Sequence, residues 1–328
     1  MSISLFRFSN IAGILCVVTA YTLFTTQDIA IKWLSASYPL HEIMLIRSVL
    51  AAIIILVILL PLEGGFNIVR TNKLTIHLLR GFGIVVANLA FYMSLATMSL
   101  AEAISIFFVS PLLITMFSAA FLREHVDVRR WIAVVAGLLG VVIIMRPGSE
   151  LFRVASILPL IGAIAYALVQ VSTRAVGKTE KASTMVIYIQ ATFIIVCSVT
   201  GLAIGDGRYM SGTDPSGHFL FRAWIIPSSG DLFLMGGIGC LMAFGIYLLF
   251  QGYRLSAASV IAPFEYIGLP LAIFWGIVVF QDYPDPLVWV GISLIVGAGL
   301  YTVYREVMRG QKKLFSDQAS RNRELEFQ

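Results

Sequence analysis

The sequence predicts an all-α polytopic membrane protein: ten transmembrane helices in two inverted five-helix repeats (5+5). Three observations carry that prediction. The 328 residues are 59% hydrophobic and only 12% charged, with a mean hydropathy of +0.90, whereas an ordinary soluble domain is about 25% charged. Apolar runs of about 20 residues, the length that crosses a bilayer at ~1.5 Å per residue, recur along the whole chain. Landmarks of the first half then return in the second at an offset that grows from about 144 to about 158 residues across the 206–230 loop, as an insertion there requires.

Taken in order, the spans lie near residues 11–32, 40–60, 74–97, 101–122, 128–146, 155–176, 183–205, 231–252, 256–280 and 286–304. Span 1 is too long for a signal-peptide core, lacks a small-residue cleavage site and continues into Asp28 and Lys32, so it reads as a membrane helix. Connections are short except for 206–230, DGRYMSGTDPSGHFLFRAWIIPSSG, whose Gly, Ser and Pro content predicts irregular surface structure. Phe219, Phe221 and Trp224 are expected to pack on the membrane interface there. The tail from Arg305 is read as cytoplasmic and partly disordered.

Charge gives the orientation. Seventeen of the 23 Lys and Arg residues fall on the side of the N-terminus and tail, five on the opposite side, and Arg47 lies within span 2. The positive-inside rule therefore puts both termini in the cytoplasm of a cell (inner) membrane protein, which requires an even number of spans. The net charge of +5 punctuates the apolar runs instead of forming a patch, so nucleic acid is not expected as a partner. Cys16, Cys197 and Cys240 sit inside apolar segments without metal-ligand spacing and read as small buried hydrophobes. No cofactor is expected.

The repeat is legible in FYMSLATMSLAEA (91–103) and YLLFQGYRLSAAS (247–259), where Phe91 matches Tyr247, Ala96 matches Gly252 and Ala101 matches Ala257. Pro111 matches Pro270, FLRE (121–124) matches VFQD (279–282), and Trp131 matches Trp289; earlier, Ala20 and Tyr21 match Ala165 and Tyr166, and Arg47 matches Gln190. This divides the chain into a first repeat (1–148), a second repeat (149–304) and the tail (305–328). Because five is odd, the second repeat enters the membrane from the opposite side. Inverted repeats with broken helices near the midplane are the architecture of secondary transporters.

One stretch stands out: SVIAPFEYIGLPL (259–271) places Glu265 between two prolines inside span 9. Proline lacks an amide hydrogen and clashes with the carbonyl four residues back, so Pro270 is expected to free the Tyr266 carbonyl and Pro263 that of Ser259. Pro111, Pro263 and Pro270 are candidate hinges. Lipid satisfies neither a loose carbonyl nor a charge, which makes a ligand site or a watered cavity the expected surroundings. The first repeat carries Ile106 where the second has Glu265, and Phe107 where it has Tyr266. The acid is therefore not required by the architecture. It would exchange a proton or pair with a cationic substrate.

The ten spans, the small-residue turns at 96–103 and 252–259, Pro111 and Pro270, the acidic ends Glu124 and Asp282, and the glycine-rich spans 5 and 10 together resemble the drug/metabolite transporter superfamily, in its EamA-like family. The resemblance covers roughly residues 11–304. It implies a basket of helices around a central cavity and carriage of a small metabolite such as an amino acid, a nucleoside-type compound or a drug; it is silent on substrate and direction. Gln190 in place of a second arginine departs from strict repetition, so the Arg47 charge cannot act identically in both halves.

The other candidates follow from charge and depth. Asp28 and Lys32 are spaced i, i+4 with the acid first, the favoured order for an ion pair; Asp28 with Arg47 is the alternative pairing, and Arg47 would also suit a substrate carboxylate. Glu102 opens span 4, where an acid complements the helix dipole. Asn88 and Tyr92 share one helix face, as do Tyr166 and Gln170. With Tyr188, Gln190, Phe107 and Tyr266 these would line an aromatic and amide pocket for an organic cation or zwitterion, or act as interhelical glue. Gly137, Gly140, Gly291, Gly297 and Gly299 mark spans 5 and 10 for close packing or a homodimer seam. There is no P-loop, HExxH or GxSxG, and the four histidines have no visible partners, so an enzyme is not expected. The expectation is a secondary transporter of a small organic metabolite in the lipid bilayer; a membrane-embedded receptor or scaffold that kept the fold is the alternative.

Overall fold

A computed structural model describes residues 2–59, 71, 73–123, 126–148, 154–176, 182–210, 215–255 and 264–326. Its helices are α1 (Ser2–Leu34), α2 (Leu40–Ile54, continued by a π turn Ile55–Leu59), α3 (Leu74–Leu95), α4 (Leu100–Phe107), α5 (Ser110–Leu122), α6 (Val128–Met145), α7 (Ile157–Val176), α8 (Ala182–Ile204), α9 (Pro215–Phe221), α10 (Ser229–Leu255), α11 (Gly268–Phe280) and α12 (Pro286–Glu326). Among the described residues nine segments are long and apolar enough to cross a membrane, and α11 is a shorter apolar helix. Residues 256–263, including the expected hinge Pro263, and Glu124 lie outside the described residues.

Span 4 is two helices. Ser99 caps α4: its hydroxyl accepts from the Glu102 amide at 3.2 Å while its own amide donates to the Glu102 carboxylate at 3.3 Å. Glu102 is thus spent on a capping box. The chain turns at Phe108 and restarts at Ser110, with Pro111 in the first turn of α5, where a missing amide hydrogen costs nothing. In the second half α11 likewise begins with Pro270 in its first turn. The Tyr266 carbonyl expected to be freed there is instead occupied by the Leu269 amide at 3.1 Å, because the chain tightens to an i→i+3 bond at the break.

Helices α5 and α11 both end on a left-handed residue, Arg123 (φ 53) and Gln281 (φ 55), at corresponding places in the repeats. The pairing of α6 with α12 repeats the theme. Each carries a glycine at the crossing: a Cβ on Gly140 would lie 2.8 Å from the Gly291 carbonyl oxygen, and one on Gly291 would lie 2.7 Å from that of Gly140. The two helices run antiparallel and are tied at both ends, by Arg146 with Asp285 at 2.8 Å and by Arg305 with Asp127 at 3.2 Å. Each acid lies just before one of the two helices, and the base it meets is Arg146 at the end of α6 or Arg305 midway along α12. The Leu287 amide and Arg146 together hold the Asp285 carboxyl below the usual carboxylate range. Gly140 and Gly291 therefore serve packing within the chain, while Gly297 faces open space.

The face opposite the N-terminus is closed. Lys32 at the end of α1 pairs with Asp282 at 2.8 Å, donates to the Met98 carbonyl at 3.0 Å and lies 4.6 Å from the Phe280 ring centroid. The 206–230 segment departs only in part from the irregular interfacial loop expected: among its described residues 222–228 have no regular structure, whereas 215–221 form a helix. It contains α9, buries Phe219, sets Phe221 against Tyr209 and stacks Trp224 on His41 with ring centroids 5.8 Å apart. Arg222 donates to the Ser35 carbonyl at 3.2 Å, and the Ile225 amide donates to Glu42 at 3.4 Å. Trp224 finds its partner at the start of α2 and Phe221 finds its own just after α8, so these rings pack against other ring side chains. The tail, expected to be partly disordered, continues α12 to Glu326.

Candidate functional site

Two polar centres lie along α1. At the first, Glu265 sits beside the break before α11. One carboxylate oxygen accepts from the Tyr21 hydroxyl of α1 at 2.9 Å, and the other accepts from the Tyr253 hydroxyl of α10. Tyr166 of α7 lies close enough to feel the Glu265 charge and hydrogen-bonds Gln170 one turn on. Tyr21 and Tyr166 are the pair that the repeat equates, so both halves deliver the same residue to the acid that only the second possesses. Among the described residues no basic side chain pairs with Glu265. A carboxylate held only by neutral phenols in an apolar core has no resident cation to balance it.

The second centre lies two helical turns along α1, about 10 Å from Tyr21. The Tyr92 hydroxyl donates to Asp28 at 3.0 Å and accepts from the Gln27 amide at 2.9 Å. The Arg47 guanidinium lies 5.1 Å from the Phe193 ring centroid of α8 and 5.9 Å from that of Tyr92. Arg47 is 0% exposed and so is Gln190, one turn from Phe193. Among the described residues the three guanidinium nitrogens, both ends of the Gln190 amide and the Gln27 carbonyl oxygen have no hydrogen-bond partner. An aromatic wall joins the two centres: Tyr92 to Phe91, Phe91 to Phe107 at 5.3 Å, and Phe107 to Tyr166 at 5.6 Å.

The structure thus brings together Glu265, Tyr166 and Gln170 at one centre, and Asp28, Arg47, Tyr92 and Gln190 at the other, with Phe107 between. Two expected ion pairs are replaced. Asp28 pairs with neither Lys32 nor Arg47 within ion-pair distance, because Lys32 reaches Asp282 and a carbonyl; an i, i+4 pair is worth only about 0.2–0.5 kcal/mol and loses to that combination. Asn88 donates to the Ile84 carbonyl of its own helix at 3.0 Å, and Tyr188 stacks on His77 at 5.0 Å, so neither joins the site. Tyr266 is buried against Phe108 and over Gly299, where a Cβ would collide with its hydroxyl. Sequence reasoning missed Tyr21, Tyr253, Gln27, Phe193 and the Lys32 to Asp282 closure. The match of Tyr21 with Tyr166 could have found the first of these. Among the described residues no group of three His, Cys, Asp or Glu side chains could hold a metal.

Residues 11–146 match the model of the EamA-like transporter family. The chain is similar to a riboflavin transporter of Vibrio cholerae, 27% identical over 304 residues that cover 92% of this chain and 96% of that protein. It is also similar to an S-adenosylmethionine uptake transporter of Rickettsia felis, 23% identical and covering 86% and 89% of the two chains. A pseudopaline exporter of Pseudomonas aeruginosa is 24% identical, covering 88% and 94%. A solved crystal structure shares the fold, with a TM-score of 0.60 at 16% identity over 91% of this chain and 98% of that one.

Proposed function

We propose that the chain is an EamA-like drug/metabolite transporter, as the match over residues 11–146 and its similarity to named transporters support, and that it is a secondary active carrier of one small organic metabolite. The metabolite is amino-acid-like, cationic or zwitterionic, and it crosses the cytoplasmic membrane by alternating access, coupled to protons or to exchange. Residues 1–148 and 149–304 are the two repeats that move against each other, and the N- and C-termini face the cytoplasm. The reciprocal ion pairs of α6 and α12 support the first statement, and the Lys and Arg asymmetry supports the second. A homodimer would use the outer faces of α6 and α12, where Ile132, Val135, Leu139 and Val290 are exposed.

The observation that carries this reading is Glu265, an acid without a basic partner among the described residues, held by hydroxyls from α1 and α10. A scaffold gains nothing from such a group and bears its desolvation; a carrier uses it once per cycle. In the closed conformation Lys32 and Asp282 seal one face, so their pair must break for the cavity to open there. The relatives named above include an uptake transporter and an exporter, so direction follows the gradients and not the fold.

The test is solute counterflow in proteoliposomes, with substrate taken from a thermal-shift screen of amino acids, quaternary amines and nucleosides. A ligand that binds only the folded state raises its apparent stability. Saturable counterflow in the wild type is expected. A receptor or scaffold that kept the fold would show none.

A further inference from the structure

The second polar centre has features that packing alone does not explain. Buried polar groups are nearly always hydrogen-bonded, and each exception calls for a reason. Here the exceptions cluster on three helices around Tyr92 and Phe193: Gln27 on α1, Arg47 on α2 and Gln190 on α8, with Asp28 beside them held by Tyr92 and the Gln27 amide nitrogen. Arg47 and Gln190 are moreover the same position in the two repeats.

The unmatched atoms are of both kinds. Arg47 offers a planar fork of donors that fits a carboxylate bidentately, and the Gln190 amide nitrogen adds another. The carbonyl oxygens of Gln27 and Gln190, together with Asp28, are acceptors. A simple anion would satisfy the donors and leave the acceptors bare beside the Asp28 charge. A simple cation would do the reverse and lie next to Arg47. We infer that this cluster is the head-group site of the carried molecule and that the head group is an α-amino carboxylate: the carboxylate on Arg47 and the Gln190 amide nitrogen, the ammonium toward Asp28 and the Gln27 carbonyl. The remainder of the molecule lies along Phe91 and Phe107 in the direction of Glu265. This assignment rests on the carrier reading above and adds to it the chemistry of one end of the substrate.

Two measurements test it. The first is thermal denaturation of the detergent-purified full chain and of Arg47→Met and Gln190→Leu. Apolar residues of similar volume at a buried polar site are often neutral or stabilising when no partner was lost. Midpoints equal to or above the wild type are therefore expected, and a drop of several degrees in both would show that the pair is structural and overturn the assignment. The second is ligand-induced stabilisation by the twenty α-amino acids, their carboxamides, the corresponding decarboxylated amines and inorganic phosphate. At least one amino acid should raise the wild-type midpoint, its carboxamide and amine should not, and Arg47→Met should abolish the shift. No shift from any amino acid, an equal shift from an amine or from phosphate, or a shift retained in Arg47→Met would each overturn the head-group site. Counterflow of a carboxylate-free cation that depends on Glu265 and ignores Arg47 would also overturn it while leaving the carrier intact; failure of all counterflow would remove the carrier itself.

Discussion

The two centres on α1 differ in one respect that separates their roles. Glu265 has both oxygens occupied by phenol hydroxyls, whereas Arg47, two turns away, has none of its three nitrogens bonded among the described residues. On the proposed reading the first group is a held acid that changes partner or protonation state. The second is a held base with room for a partner. Both are built on the same repeated framework, Tyr21 with Tyr166 and Arg47 with Gln190. At each centre the charge belongs to one half only. Symmetry supplies the scaffold of the site, and departures from symmetry supply its chemistry.

The largest expected effect comes from removing the held acid. Glu265→Gln keeps the shape and most hydrogen bonds but loses the charge; gradient-driven accumulation should fall at least about tenfold, the loss expected if an interaction worth about 1.4 kcal/mol or more is removed, while the protein inserts and purifies normally. Breaking the closure comes next. The Lys32 and Asp282 side chains are 12% and 35% exposed, so the pair is only partly screened, and Lys32→Met should shift the population toward the open face. A cysteine introduced at buried Ser94, near the end of α3, should then react several-fold faster with a membrane-impermeant maleimide, and an unchanged rate would remove Lys32 from the gate.

Smaller effects refine the comparison. Tyr21→Phe removes one of two donors to Glu265, a net loss of about 1 kcal/mol, so transport should slow by about fivefold and Tyr166→Phe by less. The smallest change belongs to the seam. The Asp285 carboxyl is held low in the folded state, so its contribution is present above the ordinary carboxylate pKa and fades as pH falls through its lowered value. Asp285→Asn should cost a slight loss of thermal stability at neutral pH and none in strong acid. Charge reversal at both ends of that pair, Arg146→Asp with Asp285→Arg, should recover part of it.

Most of the fold was legible because lipid imposes a coarse code: apolar runs gave the spans, and the repeat gave their pairing. Hydropathy does not distinguish one helix from two joined at Phe108, and the break between α4 and α5 was legible only through Pro111, the expected hinge. The cap formed by 206–230 was hidden for a different reason. Turn-rich composition reads as irregular, yet Phe219 and Trp224 are buried or stacked by partners nearly 180 residues away in the chain. At the site, single-residue depth found Glu265, Arg47, Tyr92, Tyr166 and Gln190, but not who bonds whom. Lys32 illustrates the limit: a local rule offered Asp28, and tertiary geometry gave Asp282. The tyrosines on Glu265 were readable only through the repeat, by asking what stands opposite Tyr166.

The central claim, that Glu265 is the group a transport cycle turns on, is tested most directly by comparing wild-type and Glu265→Gln proteoliposomes for uptake across a range of pH with the substrate found by the stability screen. The account predicts saturable, pH-dependent uptake in the wild type that is strongly reduced and loses its pH dependence in the variant. Uptake with unchanged rate and unchanged pH dependence in Glu265→Gln would contradict it.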